Sequence, residues 1–193
     1  MKTVENKNEV MKFLKEHRDL EISAAKLLYF KFLRPEMEAE TLKALNAVNS
    51  SEEDVRAEQE IRLAEGPALI PYMRKRLSGI NLQLLRGKMM ENQAEIAEEI
   101  KCKLLTNKQD YFIENAIYFL LYCEDNPGEW ISLHYDELES EYAKSMLCLV
   151  LGLRENPDKI PFLISEAKRF EKYYPNEGFD QGPAIAVGHM VNG

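Results

Sequence analysis

FIENAIYFLLYCEDNP, residues 112–127, and YAKSMLCLVLGLRENP, residues 142–157, decide how this chain is read. In the first, Phe112, Ala116, Phe119, Leu120 and Cys123 fall on one face of a helix with 3.6 residues per turn. In the second, Tyr142, Met146, Leu149, Val150 and Leu153 fall at the same positions, each 30 residues further on. Past the corner Trp130 corresponds to Ile160 and Leu133 to Leu163. Gly66-Pro67 lies three such periods before Pro157, and Ile70, Pro71, Tyr72 and Met73 then align with Ile160, Pro161, Phe162 and Leu163. Around Ala97, where a further copy would fall, there is no proline. The array is therefore degenerate, or one unit is rebuilt as longer helices.

Proline accounts for the punctuation. It is tolerated in the first turn of a helix, where its missing N–H had no intrahelical partner, and Asn before it suits a turn or cap. Each Asn-Pro is thus read as the end of one helix and the start of its antiparallel neighbour.

Working outward, Val10, Phe13 and Leu14 open a first helix, Leu20 to Leu33 form a second, and a third follows Arg34-Pro35 with Glu36, Glu38 and Glu40 in an acidic first turn. Ser51 and Asp54 have the spacing of a capping box and predict a helix through Ala64. Residues 80–105 read as helical but looser, with Gly87 as the break, and Asp110 is expected to cap the helix containing Phe112. After Tyr174-Pro175 the turn formers of 176–182 lead into a short apolar helix from Gly182-Pro183 to Met190, expected to cap the end of a stack. No segment of strand length alternates apolar and polar residues, so the predicted class is all-α. The predicted organisation is one helical-repeat domain over 1–193, with 176–193 as a C-terminal capping segment.

Helical hairpins of this length, flanking Asn126-Pro127 and Asn156-Pro157, resemble the HEAT and armadillo group of α-solenoids. The likeness is clear over residues 112–170 and partial over 66–77. It implies stacked antiparallel hairpins in a short right-handed superhelix that offers one face to a protein or peptide, folding as a whole because no unit buries its apolar face alone.

Composition narrows the function classes. Of 193 residues, 45% are hydrophobic and 30% charged, an ordinary globular mixture. The net charge of −8 opposes general nucleic-acid binding, which draws on basic side chains that displace counterions. Arg74, Lys75 and Arg76, with Arg86 and Lys88, form a local basic cluster that is read as a solvated surface. No apolar run reaches the length of a bilayer span and the N-terminus lacks the apolar core of a secretory signal, so no membrane association and a cytoplasmic location are expected. Cys102, Cys123 and Cys148 show no ligand spacing and are expected to be reduced thiols.

Chemistry is sparsely signalled. His134-Tyr135-Asp136-Glu137 is the most suggestive group, since imidazole and carboxylates can share a metal or a proton. A helical metal site would want a ligand at position 138, which is Leu. Glu95, Glu98 and Glu99 are read as an acidic helix surface. Glycine-rich phosphate, dinucleotide and nucleophile-elbow patterns do not occur. Trp130, the only tryptophan, is expected to pack between helices, with an interface anchor as the alternative. Trp130, His134 and Tyr135 are accordingly the candidate interaction residues, with no catalytic residue, metal ligand or cofactor assigned. The function expected is a non-catalytic protein-protein interaction module, of the kind found in bacterial accessory, inhibitor or immunity-type proteins. Its expected partner is a protein with a basic surface. The rival is a metal-dependent helical hydrolase using His134 and nearby carboxylates.

Overall fold

The structure, a computed structural model, describes Lys12 and residues 51–192. The three helices expected before Ser51 lie outside that range. Among the described residues every regular element is helical and the class is all-α. They divide into two compact units, residues 51–125 and residues 126–192.

The first unit opens with α1, Glu52–Leu63. The capping box expected from Ser51 and Asp54 is present: the Asp54 amide donates to Ser51 Oγ at 3.1 Å and the Ser51 amide to Asp54 Oδ2 at 3.2 Å. The Ser51 hydroxyl and amide, as donors, hold the Asp54 carboxyl below its ordinary pKa. A 3₁₀ segment, Gly66–Arg74, follows with Pro67 at its start. Gly66 takes φ +49°, in the left-handed region that glycine tolerates. Met73 is buried and Tyr72 partly buried, as are their counterparts Leu163 and Phe162, so this weaker copy matches in burial although its helix type differs.

Helices α2, Gly79–Glu91, and α3, Gln93–Thr106, occupy the stretch without a proline corner. The break falls at Asn92 and not at Gly87. A Cβ at Gly87 would meet nothing within 4 Å, so that glycine is simply an exposed helical residue. Asn92 makes two side-chain bonds at the break: its side-chain amide donates to Lys88 O at 2.8 Å, and its Oδ1 accepts from the Gly66 amide at 2.9 Å. The break thereby fastens the Gly66-Pro67 corner. Helix α4 spans Asp110–Tyr122 and buries Phe112, Ala116, Phe119 and Leu120, with Cys123 buried at its end, as the periodicity predicts. Asp110 is the first residue inside this helix and not its cap. Gln109 holds the cap position, and Asp110 places a carboxylate at the positive end of the dipole.

The second unit contains α5, Gly128–His134, a 3₁₀ turn over Tyr135–Glu137, α6, Glu141–Leu153, a second 3₁₀ turn over Pro157–Lys159, α7, Ile160–Tyr173, and α8, Gln181–Asn192. On α6, Met146, Leu149 and Val150 are buried, while Tyr142 and Leu153 at the ends of the stripe are partly exposed. The two Asn-Pro corners use their asparagines differently. Asn126 Oδ1 accepts from the Gly128 amide at 2.9 Å, whereas the Asn156 amide donates to Leu151 O at 3.0 Å and Arg154 O at 3.2 Å, tying off the last carbonyls of α6. Beyond the corners the copies diverge further, since Leu163 is fully buried and Leu133 is 69% exposed.

Helix α8 begins where Gly182-Pro183 predicts and packs along both α6 and α7. Its approach to α6 is by small residues. A Cβ at Gly182 would strike the Ser145 carbonyl, and one at Gly152 would strike Ala186. The Ser145 hydroxyl also donates to Phe179 O at 2.6 Å, closing the loop that leads into α8. Among the described residues no helix is long and apolar enough to cross a membrane.

Candidate protein-docking site

Helix α5 and the turn after it separate two side-chain stripes. Ile131, Tyr135 and Leu138 face inward and are buried. Trp130, His134 and Glu137, at steps of four and three, share an adjacent flank that is partly to fully exposed, with Leu133 beside them. The Trp130 and His134 rings lie 5.3 Å apart at 34°, and His134 Nδ1 sits 3.1 Å from Glu137 Oε1. Trp130 is partly buried, short of the full burial expected from its pairing with Ile160. Leu133 is exposed next to His134 in the chain, and Glu129, Asp136, Glu137 and Glu139, all exposed, add negative charge along the same stretch.

Of the three candidate interaction residues, the structure brings Trp130 and His134 together and separates Tyr135 from them. Tyr135 is 6% exposed and belongs to the core beneath. The reason is angular: residue 134 is four positions from Trp130 and residue 135 is five, which turns Tyr135 away. Leu133, not singled out from the sequence, completes the surface. The alignment of Leu133 with Leu163 carries no local signal of its exposure.

Beneath α5 lies a polar core that joins α6 and α7. The Tyr135 hydroxyl donates to Glu166 Oε2 at 2.6 Å, with its ring edge-on to Phe162 at 4.9 Å. Arg169 donates through Nε to Glu166 at 2.9 Å and through a terminal nitrogen to Glu141 at 2.7 Å. Glu166 is 8% exposed, and these donors satisfy its buried oxygens. Since the Tyr135 proton is committed to Glu166, the Cys148 thiol donates to Tyr135 Oη across 3.4 Å.

Burial first, then the neighbouring Cys148 and Glu166, raises the Tyr135 pKa far above its ordinary value. Burial likewise pushes the Cys148 thiol up to about 12, although Tyr135 and Arg169 oppose it. Burial alone would lower the Arg169 pKa, but hydrogen bonds to Glu166 and Glu141 outweigh it and the guanidinium is held above its usual range. A thiol and a phenol held protonated are poor nucleophiles.

Elsewhere the sequence-level candidates disperse. Arg86 is 5% exposed with its guanidinium 4.4 Å from the Tyr118 ring centroid, so it cannot share a surface with Arg74, Lys75 and Arg76. Glu98 pairs with Lys101 at 2.8 Å and Glu99 with Lys103 at 3.5 Å along α3. Cys123 and Cys148 are buried and Cys102 exposed, all three as free thiols. Among the described residues no group of three or more His, Cys, Asp and Glu side chains is placed to hold a metal ion, and the carboxylate that His134 engages is that of Glu137. Compared with known proteins, the chain matches no family model, and no curated protein or solved structure is significantly similar to it.

Proposed function

We propose that this chain is a non-catalytic protein-binding module of the HEAT-like repeat kind, and that it docks a partner on the outer face of α5. The observation that carries the reading is Leu133, 69% exposed beside the Trp130–His134 ring pair on a helix whose inward stripe is already satisfied. An apolar side chain next to an amphipathic aromatic, inside a polar rim, has the anatomy of an interface centre. Because that rim is Glu129, Asp136, Glu137 and Glu139 in a chain of net charge −8, the complementary partner surface is basic. A small acidic protein that covers a basic patch acts by occlusion, as inhibitor and immunity-type proteins do. Three free thiols suit the reducing interior of a cell, in keeping with a cytoplasmic setting.

The test is photo-crosslinking from position 133 in an extract of the source cells, with capture by wild-type protein and by Leu133→Asp in parallel. A basic protein crosslinked at 133 and lost from the Leu133→Asp capture supports the reading. A captured set unchanged by Leu133→Asp overturns it. Trp130, the only tryptophan, supplies a second readout, since docking over it shifts its emission to shorter wavelength.

A further inference from the structure

The exposed flank of α5 carries one side chain of the type that changes charge near physiological pH, and its ring is held between an aromatic group and a carboxylate. The His134 ring lies 5.3 Å from that of Trp130, and His134 Nδ1 sits 3.1 Å from Glu137 Oε1. An ionised carboxylate only accepts, so Nδ1 carries the hydrogen of the neutral ring and Nε2 keeps its lone pair. The next proton therefore enters at Nε2 and makes the ring a cation without breaking the bond to Glu137. We propose, on the docking reading of α5, that this proton and the basic partner compete at His134, so that docking weakens as pH falls.

The sign follows from the charges at hand. Glu129, Asp136 and Glu137 are exposed carboxylates along the stretch, with Glu139 beyond them, and with a neutral ring they draw an approaching cation. Once protonated, the imidazolium offsets the charge of Glu137 beside it and repels any cation that approaches Trp130 or Glu137. The His134 side chain is 35% exposed and that of Glu137 57%, so solvent protons and a partner both reach the pair. By linkage, a partner that binds the protonated form less well expels the proton as it docks.

The titratable groups of the elements packed beneath are engaged elsewhere. On α6, Glu141 pairs with Lys144 at 3.3 Å and with Arg169 of α7 at 2.7 Å, and the Tyr142 ring lies 6.4 Å from that of Phe179. Cys148 of α6 and Glu166 of α7 meet Tyr135 on the inward side. Among the described residues, the ion pair made by His134 is the one with Glu137.

Trp130, the only tryptophan, reports both events from beside the ring. Its emission is followed in the full chain from about pH 8 to about pH 5 at constant ionic strength, together with imidazole NMR of the three histidines. Protonated imidazole quenches indole on contact, so wild-type emission is expected to fall in step with the His134 signal, and His134→Gln to stay level. Hexa-arginine, a basic probe without tryptophan, is then titrated near pH 7.5 and near pH 5.5. Binding read from Trp130 is expected to be about two- to fivefold weaker in acid for wild type, the size of one exposed charge pair, and unchanged by pH for His134→Gln. Equal wild-type affinity at the two pH values, or the same loss in His134→Gln, overturns the regulation and leaves the docking face standing. No response of Trp130 to the peptide at either pH overturns the basic-partner reading and the regulation with it. Level wild-type emission across the titration overturns the ring contact on which the competition depends. His134→Gln keeps a polar side chain at a partly exposed position, so it is expected to fold, and a wild-type melting temperature confirms it.

Discussion

The α-carbon of Gly128 lies against the side chain of Asn156, so that a Cβ at position 128 would sit 2.5 Å from Asn156 Oδ1 and 3.1 Å from Asn126 Oδ1. The two Asn-Pro corners therefore touch, and Gly128 is the residue that lets them. Glycine in a helix is ordinarily improved by alanine by up to about 1 kcal/mol. At Gly128 the sign is expected to invert, with Gly128→Ala lowering stability by about 1 to 2 kcal/mol through the displaced asparagine. Gly87→Ala, facing open space within α2, is expected to raise it by about 0.5 to 1 kcal/mol. Urea unfolding of both variants tests the pair, and equal signs would contradict the packing at the corner.

Leu133 and Leu163 occupy corresponding positions in the two copies but different surroundings. Leu163→Ala, in a fully buried site, is expected to lose about 2 to 5 kcal/mol. Leu133→Ala is expected to stay within about 0.5 kcal/mol of wild type, as exposed positions do. Thermal melts of the two variants suffice, and a large loss at Leu133 would mean that the side chain is covered.

The buried ion cluster predicts an asymmetry between single and double substitutions. Arg169→Met strands the Glu166 carboxylate and is expected to cost about 3 kcal/mol, while Tyr135→Phe, which removes one bond to a charged group, costs about 1.5 to 2 kcal/mol. Arg169→Met combined with Glu166→Met is expected to lose less than Arg169→Met alone, because the charge leaves with its partner. Chemical denaturation of the three proteins gives the coupling directly.

Alkaline pH probes the same cluster. Cys148 and Tyr135 are neutral when protonated, and their folded pKa values are raised, so the unfolded chain releases these protons first. Their contribution is complete below the unfolded values of 9.0 and 10.0 and is lost as pH rises towards the folded ones, which for Cys148 means about 12. Stability is expected to fall by about 1.4 kcal/mol per pH unit for each titrating group. Cys148→Ala should flatten the decline that starts near pH 9, and Tyr135→Phe only the part above pH 10. Guanidinium titrations from neutral pH upward measure both slopes.

The helical faces were legible because burial obeys the 3.6-residue period, and Phe112 to Cys123 and Met146 to Val150 show it directly. Ser51 with Asp54 was legible for a similar reason, since a capping box is a purely local device. The break at Asn92 was hidden because its cause is remote: the Gly66 amide it accepts is 26 positions away. The cluster of Glu141, Glu166 and Arg169 was not legible, as their spacing on α6 and α7 carries no mark of the Tyr135 hydroxyl that meets them. At the candidate docking face, Trp130 and His134 were found through residue type and spacing. Leu133 was missed because an exposed leucine and a core leucine are the same letter.

Helix α8 lies on α6 with backbone nearly touching backbone at Gly182 and Gly152. That side of α6 is therefore already filled from within the same chain. A second molecule could not pack against it without first peeling α8 away.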